Sequence, residues 1–334
     1  MVIINSYLTA VILLFVTMIC WGSWANTQKL VTKGWSFQLF YWDYTIGVVL
    51  MALLFALSMG SFGMEGRSFL IDISQGSYES MFSAFLGGVI FNIANLLLVA
   101  AIDIAGMAVA FPIGIGIALV WGVVVNYLYE PTGNPIILFI GVGLVVVAII
   151  LDALAYRRLP SGSGGASSKG ILISVIAGIA MGFFYRFVAA SMTGNFAEPE
   201  IGKLTPYTAV FIFSIGIFIS NFLWNTIFMY KPLKGKPVSY NDYFSLGTSK
   251  LHLIGILGGA IWCIGMSFSI IASEQAGFAI SYGLGQGATL VAAAWGVYIW
   301  KEFKDADAST KRLLPFMFIS FIIGLAMIIF ARLG

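Results

Sequence analysis

The sequence predicts an all-α polytopic membrane protein with ten transmembrane helices, arranged as two inverted five-helix repeats. Three observations lead to this fold class. The 334-residue chain is 60% hydrophobic and only 9% charged, whereas a soluble domain carries about 25% charged residues. Its apolar residues fall into ten stretches of roughly 20 residues, the length that spans a bilayer. One of these stretches also recurs in the second half of the chain.

The repeat covers residues 86–120 and 257–291, which align without a gap at an offset of 171. Of the 35 aligned positions, 13 are identical, among them Gly88 with Gly259. A repeat at a fixed offset reports the architecture of a chain more directly than local patterns do. Both copies are apolar throughout, so both are predicted to lie in the membrane.

The ten predicted spans are separated by short loops, apart from the longer connections before the third and eighth spans. They lie at residues 6–28, 36–60, 79–102, 105–128, 135–156, 170–192, 206–230, 250–272, 276–300 and 313–332. The two cysteines, Cys20 and Cys263, both fall inside spans, so neither a disulfide framework nor a metal site is expected. We expect no cofactor.

The distribution of basic residues predicts the orientation. Thirteen Lys and Arg residues fall on one face of the predicted bundle and only Arg67, Lys203 and Arg332 on the other. Short cytoplasmic loops are enriched in Lys and Arg. The basic face is therefore predicted to be cytoplasmic in a plasma (inner) membrane, with both termini outside.

This topology makes the two matched segments antiparallel, since the third span enters from outside and the eighth from inside. The chain then divides into a first five-helix repeat at residues 1–156, a cytoplasmic linker at 157–169 and a second, inverted repeat at 170–334. Inverted repeats of this kind are typical of transporters that work by alternating access.

Polar side chains within spans indicate where a solute binds, because they are costly in hydrocarbon and normally face a cavity or the bundle interior. Here they are mostly Trp, Tyr, Asn and Gln, which suits a small neutral polar solute such as a sugar or a flat amide. A dianion would require several basic residues. The predicted substrate-binding residues are Trp21, Trp24, Asn26, Tyr41, Asn92, Asn95, Tyr185, Arg186, Asn221, Trp224, Trp262, Tyr282 and Gln286.

Asp43 is the predicted proton-coupling residue, because it lies about 10 Å into the second span at 1.5 Å per residue and would be partly desolvated there. The alternative is an interfacial acid within an aromatic belt, since Tyr41, Trp42 and Tyr44 surround it. Arg186 is interpreted either as a substrate donor or gate, or as a side chain that snorkels to the outer interface.

Three further positions have a predicted role. Gln286 matches the apolar Ile115 in the other repeat, an asymmetry that indicates a ligand contact. Gly285 and Gly287 flank it, and we expect them mainly to pack helices, with local unwinding as the alternative. Lys301–Glu302 is expected to be a solvated surface pair.

The residues resemble two related groups of the drug/metabolite transporter superfamily, the glucose/ribose uptake transporters and the ureide permeases. Trp21–Gly22 is similar to both groups. Tyr41–Tyr44, Gln286 and Trp295–Gly296 resemble the ureide permeases more closely, as does the segment Gln275–Gly277. The chain lacks the long central loop of the plant ureide permeases.

The resemblance implies proton-coupled import of a small neutral solute by a site between spans 1–4 and 6–9. We expect a sugar of the ribose or hexose type. The alternatives are a ureide, nucleobase or nucleoside permease, or a metabolite or drug exporter of the same superfamily. The expected partners are the solute, protons and membrane lipid, with no nucleic acid; the oligomeric state is left open.

An enzyme is not expected. The only histidine, His252, lies at a cytoplasmic helix end, and the chain has no H-E-x-x-H, G-x-S-x-G or C-x-x-C motif. A channel is not expected either, because no ring of charged filter residues is visible in the sequence.

Overall fold

A computed structural model of the chain describes residues 1–31, 35–105, 107–159, 167–233 and 235–333. Within these ranges the protein is helical, and its only β feature is the isolated bridge between Met192 and Leu204. The helices are α1 (Tyr7–Ser23), α2 (Ala25–Lys29), α3 (Phe37–Leu57), α4 (Phe69–Gln75), α5 (Tyr78–Ala105), α6 (Met107–Tyr129), α7 (Pro135–Arg157), α8 (Ser168–Ser191), α9 (Pro206–Tyr230), α10 (Tyr240–Leu246), α11 (Ser249–Ala276), α12 (Phe278–Gly285), α13 (Ala288–Ala294) and α14 (Ala308–Phe330), with a π-helical turn at Trp295–Ile299.

Nine helices of the described ranges are long and apolar enough to cross a membrane, if α1 and α2 are taken together as Tyr7–Lys29. They match nine of the ten predicted spans to within a few residues. The predicted span 206–230 coincides with α9, for example. The expectation of an all-helical polytopic protein is therefore confirmed.

The predicted span 276–300 is the exception, because it is not one helix. It divides into α12, α13 and the π-helical turn, with the break between α12 and α13 at Gln286 and Gly287. Glycine on both sides of Gln286 weakens helix propagation at this point. Both interpretations of these glycines hold, because the helix is interrupted here and a Cβ at Gly285 or Gly287 would also collide with Trp21 or Met18 of α1.

Polar caps set where several long helices begin. Ser6 accepts a hydrogen bond from the Thr9 amide at the start of α1, and Asn134 accepts from two amides at the start of α7, where Pro135 occupies the first turn. Asp307 accepts from the Thr310 amide at the start of α14. Each cap satisfies amides that the first turn of a helix leaves without a partner.

The helices pair in a pattern that repeats. Helix α5 packs on α8 and α9, while α11, which carries the second copy of the repeated segment, packs on α1 and α3. Likewise α6 packs on α8, while α12 and α13 pack on α1. Three pairs, α3 with α9, α6 with α12 and α7 with α14, join equivalent helices. This is the pattern expected of two repeats. Their division at residues 157–169 stays a prediction, and residues 160–166 lie outside the described ranges.

Both termini lie at the same end of the bundle. The Met1 ammonium donates to the Glu65 carbonyl, and Arg332 Nε donates to the Gln275 carbonyl. The loops at this end are tied together by Asp72, which is fully buried, accepts from Arg67 Nε at 2.7 Å and also from the backbone and side chain of Thr205. The opposite end holds the ion pair between Lys29 and Glu302.

Two helix crossings bring backbone against backbone at glycine. A Cβ at Gly259 of α11 would collide with the Tyr44 carbonyl oxygen of α3, and a Cβ at Gly88 of α5 would collide with the Phe213 carbonyl oxygen of α9. These two glycines are equivalent in the repeat. Small residues allow this close approach, which is a main source of helix association in lipid.

We therefore expect Gly88→Ala and Gly259→Ala each to lower the free energy of unfolding by about 1–3 kcal/mol, the usual cost of overpacking a close contact. The matched control is Gly143→Ala, because a Cβ at Gly143 has no neighbour within 4 Å. Thermal unfolding in detergent micelles measures all three variants. Equal melting temperatures for the three would contradict the backbone contacts.

Candidate functional site

A cavity of about 180 Å³ lies where α1, α2, α5, α6, α8, α11 and α13 meet. Five of the predicted substrate-binding residues line it: Trp21, Trp24, Asn95, Trp262 and Gln286. None of its lining residues, within the described part of the chain, is Asp, Glu, Lys, Arg or His. The cavity is therefore uncharged, as the composition of the spans predicted for a site that takes a neutral solute.

Aromatic rings form the walls of this cavity. Trp21 and Trp262 stack with their ring centroids 5.9 Å apart and an interplanar angle of 14°, and the Trp21 indole N–H donates to the Trp262 carbonyl at 3.2 Å. Phe91 packs on the other side of Trp262 at 4.4 Å. Because these rings are held by each other and by a hydrogen bond, they present fixed apolar faces to the cavity.

Two amide side chains supply its polarity. Asn95 Nδ2 donates to the Tyr41 hydroxyl at 3.1 Å, which leaves Oδ1 of Asn95 as an acceptor. Gln286 is only 8% exposed, and its side-chain amide makes no hydrogen bond to the described residues, so both its donor and its acceptor are available. Since buried polar groups normally have partners, the Gln286 amide is best explained by a ligand or water in the cavity.

A second cavity of about 150 Å³ continues from the first toward the end of the bundle that holds Lys29 and Glu302. The two cavities share five lining residues, namely Gly22, Ala25, Phe111, Thr289 and Ala292. We refer to the second cavity as the vestibule. The two spaces are therefore adjacent, and the vestibule lies between the aromatic walls and the end of the bundle that holds Lys29 and Glu302.

The vestibule is charged, unlike the first cavity. Glu302 forms an ion pair with Lys29 at 3.0 Å and accepts a hydrogen bond from the Tyr156 hydroxyl. Trp300 Nε1 donates to Asn26 Oδ1 at 2.7 Å, so the predicted residue Asn26 belongs here. Glu302 is thus a cavity residue in a network between α2, α7 and the end of the π-helical turn, and the expectation of a solvated Lys301–Glu302 surface pair was wrong.

Asp152 of α7 was not among the sequence candidates, although it also lines the vestibule. Its Oδ1 is buried and has no hydrogen-bond partner. An ionisable residue inside a predicted span is by itself an indication of a functional position, so the sequence contained the signal. For Glu302 the sequence contained no such signal, because this residue lies beyond the last residue of its predicted span.

Several predicted binding residues instead join helices. Asn92 Nδ2 donates to the Ile217 carbonyl, and the Tyr185 hydroxyl donates to the Ser269 carbonyl. The Tyr282 hydroxyl bonds to two carbonyls, at 3.1 and 3.2 Å, on α6 and α8. Tyr41 supports Asn95 from behind. None of these four side chains lines either cavity.

Three other predicted residues also lie away from the cavities. Asn221 Nδ2 approaches Thr45 Oγ1 at 3.5 Å, and Trp224 is partly buried on the same helix. The Arg186 guanidinium lies over the Tyr129 ring, 3.3 Å from its centroid, in a cation–π contact. This contact lies near the end that holds the termini, since α6 ends at Tyr129.

Asp43 does not border either cavity, yet among the acids whose burial the structure describes at its end of the bundle it is the most deeply buried, with a side chain 1% exposed. Its Oδ1 accepts hydrogen bonds from the Tyr243 hydroxyl at 2.5 Å and from His252 Nδ1 at 2.9 Å. Burial, together with the Asp43 carboxyl, raises the pKa of Tyr243 above its ordinary value. Sequence reasoning missed both partners, because Tyr243 lies outside every span and His252 carries no motif.

Comparison with known proteins relates this chain to one family. The ureide permease family model matches residues 40–161 and 163–331. Ureide permease 1 of Arabidopsis thaliana is 25% identical over 389 aligned positions, covering 98% of both chains. Probable ureide permease A3 of Vigna unguiculata is 25% identical, covering 90% of this chain and 97% of its own.

A solved crystal structure with 12% sequence identity superposes with a TM-score of 0.62 over 97% of this chain and 98% of its own. At that identity it shows the fold alone. The alignments with the plant relatives are longer than this chain, so those proteins carry segments that it lacks. With the family model matching most of the chain, and with apolar helices throughout, the protein is a multi-pass membrane protein that belongs to the ureide permease family.

Proposed function

We propose that this protein transports a small neutral ureide, or a closely related heterocyclic amide, and that the solute binds in the uncharged cavity. The observation that carries the proposal is the Gln286 amide, which faces that cavity without a protein partner beside the stacked Trp21 and Trp262. The expected sugar is less well supported than the ureide alternative, because the relatives are ureide permeases.

A flat heterocycle suits the cavity for two reasons. Its faces can stack on the indole of Trp24 or Trp21, both of which line the cavity and are only partly buried. Its N–H and C=O groups alternate around the ring edge, and Asn95 Oδ1 and the Gln286 amide supply the complementary acceptor and donor. A charged solute would find no counter-charge in this cavity and would lose its hydration without compensation.

The transport mechanism that we propose is alternating access by two inverted repeats, residues 1–156 and 170–334, with ten crossings. The broken segment formed by α12, α13 and the π-helical turn is the remaining crossing. Discontinuous helices are common at the binding sites of such transporters. The excess of basic residues supports a cytoplasmic position for the vestibule end, with both termini outside, in the plasma membrane. The direction is import, coupled to protons through Asp43.

The first experiment is ligand-induced thermal stabilisation of the purified protein by allantoin, nucleobases, nucleosides, pentoses and hexoses. A solute present at 100 times its dissociation constant stabilises the folded state by about 2.7 kcal/mol, which is visible as a shift in melting temperature. We expect a shift with allantoin or a nucleobase. A shift with sugars only would overturn the ureide proposal, and no shift with any solute would favour the exporter alternative.

A second prediction concerns Gln286 itself. Gln286→Leu keeps the side-chain volume but leaves the solute with unpaired polar groups, which costs about 1–3 kcal/mol and weakens binding about 5- to 150-fold. The melting temperature without solute should not fall, because the Gln286 side chain makes no hydrogen bond in the described structure. Gln275→Leu, at the outer end of α11 and away from both cavities, is the matched control. Unchanged affinity in Gln286→Leu would exclude this residue from the site.

A third prediction tests the path through the vestibule. Ala292 lines both cavities, so in a Cys20→Ser background Ala292→Cys should react with a water-soluble thiol reagent applied from the cytoplasmic side, and bound solute should slow the reaction. Ala279→Cys is the control, since Ala279 of α12 is fully buried and lines neither cavity. A reaction only from the outside would reverse the proposed orientation.

A further inference from the structure

The starting observation is a buried carboxyl group whose two oxygens have unequal surroundings. Oδ1 of Asp43 receives both hydrogen bonds, from Tyr243 and His252. Oδ2 is buried and has no hydrogen-bond partner. A carboxylate that is removed from water requires either a counter-charge or a proton. Tyr243 is neutral and supplies neither, so His252 is the group that can neutralise Asp43.

His252 connects this buried acid to water. Its side chain is 29% exposed and is held in place by ring contacts with Trp35 at 5.3 Å and with Tyr243 at 4.8 Å. Nδ1 points to Asp43, and Nε2 lies against the backbone of Gly247 in the turn between α10 and α11. The imidazole therefore has one nitrogen on the buried acid and the other at the surface turn.

The ionisable groups that face Asp43 are Tyr243 from α10 and His252 from α11. Within the described ranges, its only ion pair is the one with His252. With a neutral imidazole that carries its hydrogen on Nδ1, the pair has a net charge of −1. One added proton makes the pair neutral overall, either as carboxylate and imidazolium or as carboxylic acid and imidazole.

The Asp43–His252 pair is connected to the walls of the uncharged cavity through helices α3 and α11. Asp43 Cβ packs directly on Gly255 of α11, two turns before Trp262 on the same helix. The next residue, Tyr44, packs on Trp24 with ring centroids 4.8 Å apart and on Trp262 at 6.4 Å. A change in charge between α3 and α11 therefore acts on two helices whose neighbouring turns hold the cavity walls.

We infer that Asp43 and His252 together bind one exchangeable proton and that His252 passes it to and from the cytoplasm. This inference rests on the proposed transport function and adds His252 to its coupling machinery. On release, the N–H bond at Nε2 of the imidazolium breaks and the proton goes to water. The Nδ1–H of the neutral imidazole continues to donate to the Asp43 carboxylate. The hydrogen bond from the Tyr243 hydroxyl keeps that carboxylate in position.

The first test observes His252 directly and needs no solute. The chain contains a single histidine, so histidine labelled with ¹⁵N gives one pair of ring signals in the full-length protein in micelles. A free neutral imidazole usually carries its hydrogen on Nε2, and a carboxylate acceptor at Nδ1 reverses that preference. We expect the Nδ1–H form in the wild type and the Nε2–H form in Asp43→Asn. An Nε2–H form in the wild type, at a pH where the pair has released its proton, would overturn the inference.

The second test measures transport in proteoliposomes with radiolabelled allantoin, at a fixed imposed pH difference and a series of pH values on the vestibule side. His252→Gln keeps a donor toward Asp43 but cannot carry a proton through the side chain. We expect its gradient-driven uptake to fall on the order of tenfold or more, as when a positioned proton carrier is lost, and to lose the pH dependence of the wild type. The control is Lys250→Gln, because Lys250 is exposed and lies two residues before His252. This variant should behave as wild type.

The outcomes separate this inference from the proposed function. If the wild type takes up allantoin without any response to the pH difference, the proton site is wrong and the ureide proposal stands. If no panel solute is taken up, the transport proposal fails, and the ¹⁵N signals still decide whether Asp43 holds His252 as inferred. If His252→Gln shows normal uptake driven by the pH difference, and Asp152→Asn loses that uptake, the inference is overturned in favour of the acids of the vestibule.

Discussion

The close contact of α11 on α3 is the constraint on which the rest of the structure depends. Gly259 admits the Tyr44 backbone at a distance that no side chain allows. This contact brings Trp262 of α11 beside Tyr44 of α3 and, one turn along α11, sets Asp43 against Gly255. In hydrocarbon the hydrophobic effect does not drive helices together, so the close packing of small residues has to do so. One crossing thus fixes both a cavity wall and the buried acid.

The proposed solute site lies where the two halves differ. The equivalent crossings at Gly88 and Gly259 are scaffold, and they recur because both halves need them. Helix α6 continues through Ile115, whereas the equivalent position in the second half is Gln286, at the break between α12 and α13. A broken helix frees backbone groups and changes the direction of the side chain at the break. The asymmetric amide therefore lies at the point where the symmetric scaffold is interrupted.

The sequence predicted the helices well because a span has a length and a composition that can be read directly. It also identified five residues of the uncharged cavity, since polar groups inside a span are few and each needs a reason. It did not separate Gln286, which faces the cavity, from Tyr282, which bonds to two carbonyls of other helices. Both are polar residues of the same span. Which role each takes depends on the neighbouring helix, and spacing along one helix does not report that.

Apart from Asp152, which lies inside its span, the residues that sequence reasoning missed share a different property, since they lie at or beyond the ends of spans. His252 stands in the first turn of α11, Tyr243 in the short helix α10 and Glu302 after the π-helical turn. Hydropathy assigns such residues to solvent. Their contacts, to Asp43 in one case and to Lys29 and Tyr156 in the other, join segments more than a hundred residues apart. Only the assembled bundle brings them together.

The charged side chains lie apart from the proposed solute cavity, and that separation constrains any mechanism. The cavity with the aromatic walls holds no ionisable side chain among its described residues, while the acids lie in the vestibule and at the α3–α11 contact. A carboxylate inside the cavity would attract water. It would also change the charge and the hydrogen-bond donors that the solute meets whenever it gained or lost a proton. With the acids outside, the cavity offers the same neutral amides in every protonation state. Under the proposed coupling, a proton influences the solute only by moving helices, and α3 and α11, which carry Asp43, His252 and Trp262, are the helices on which it would act.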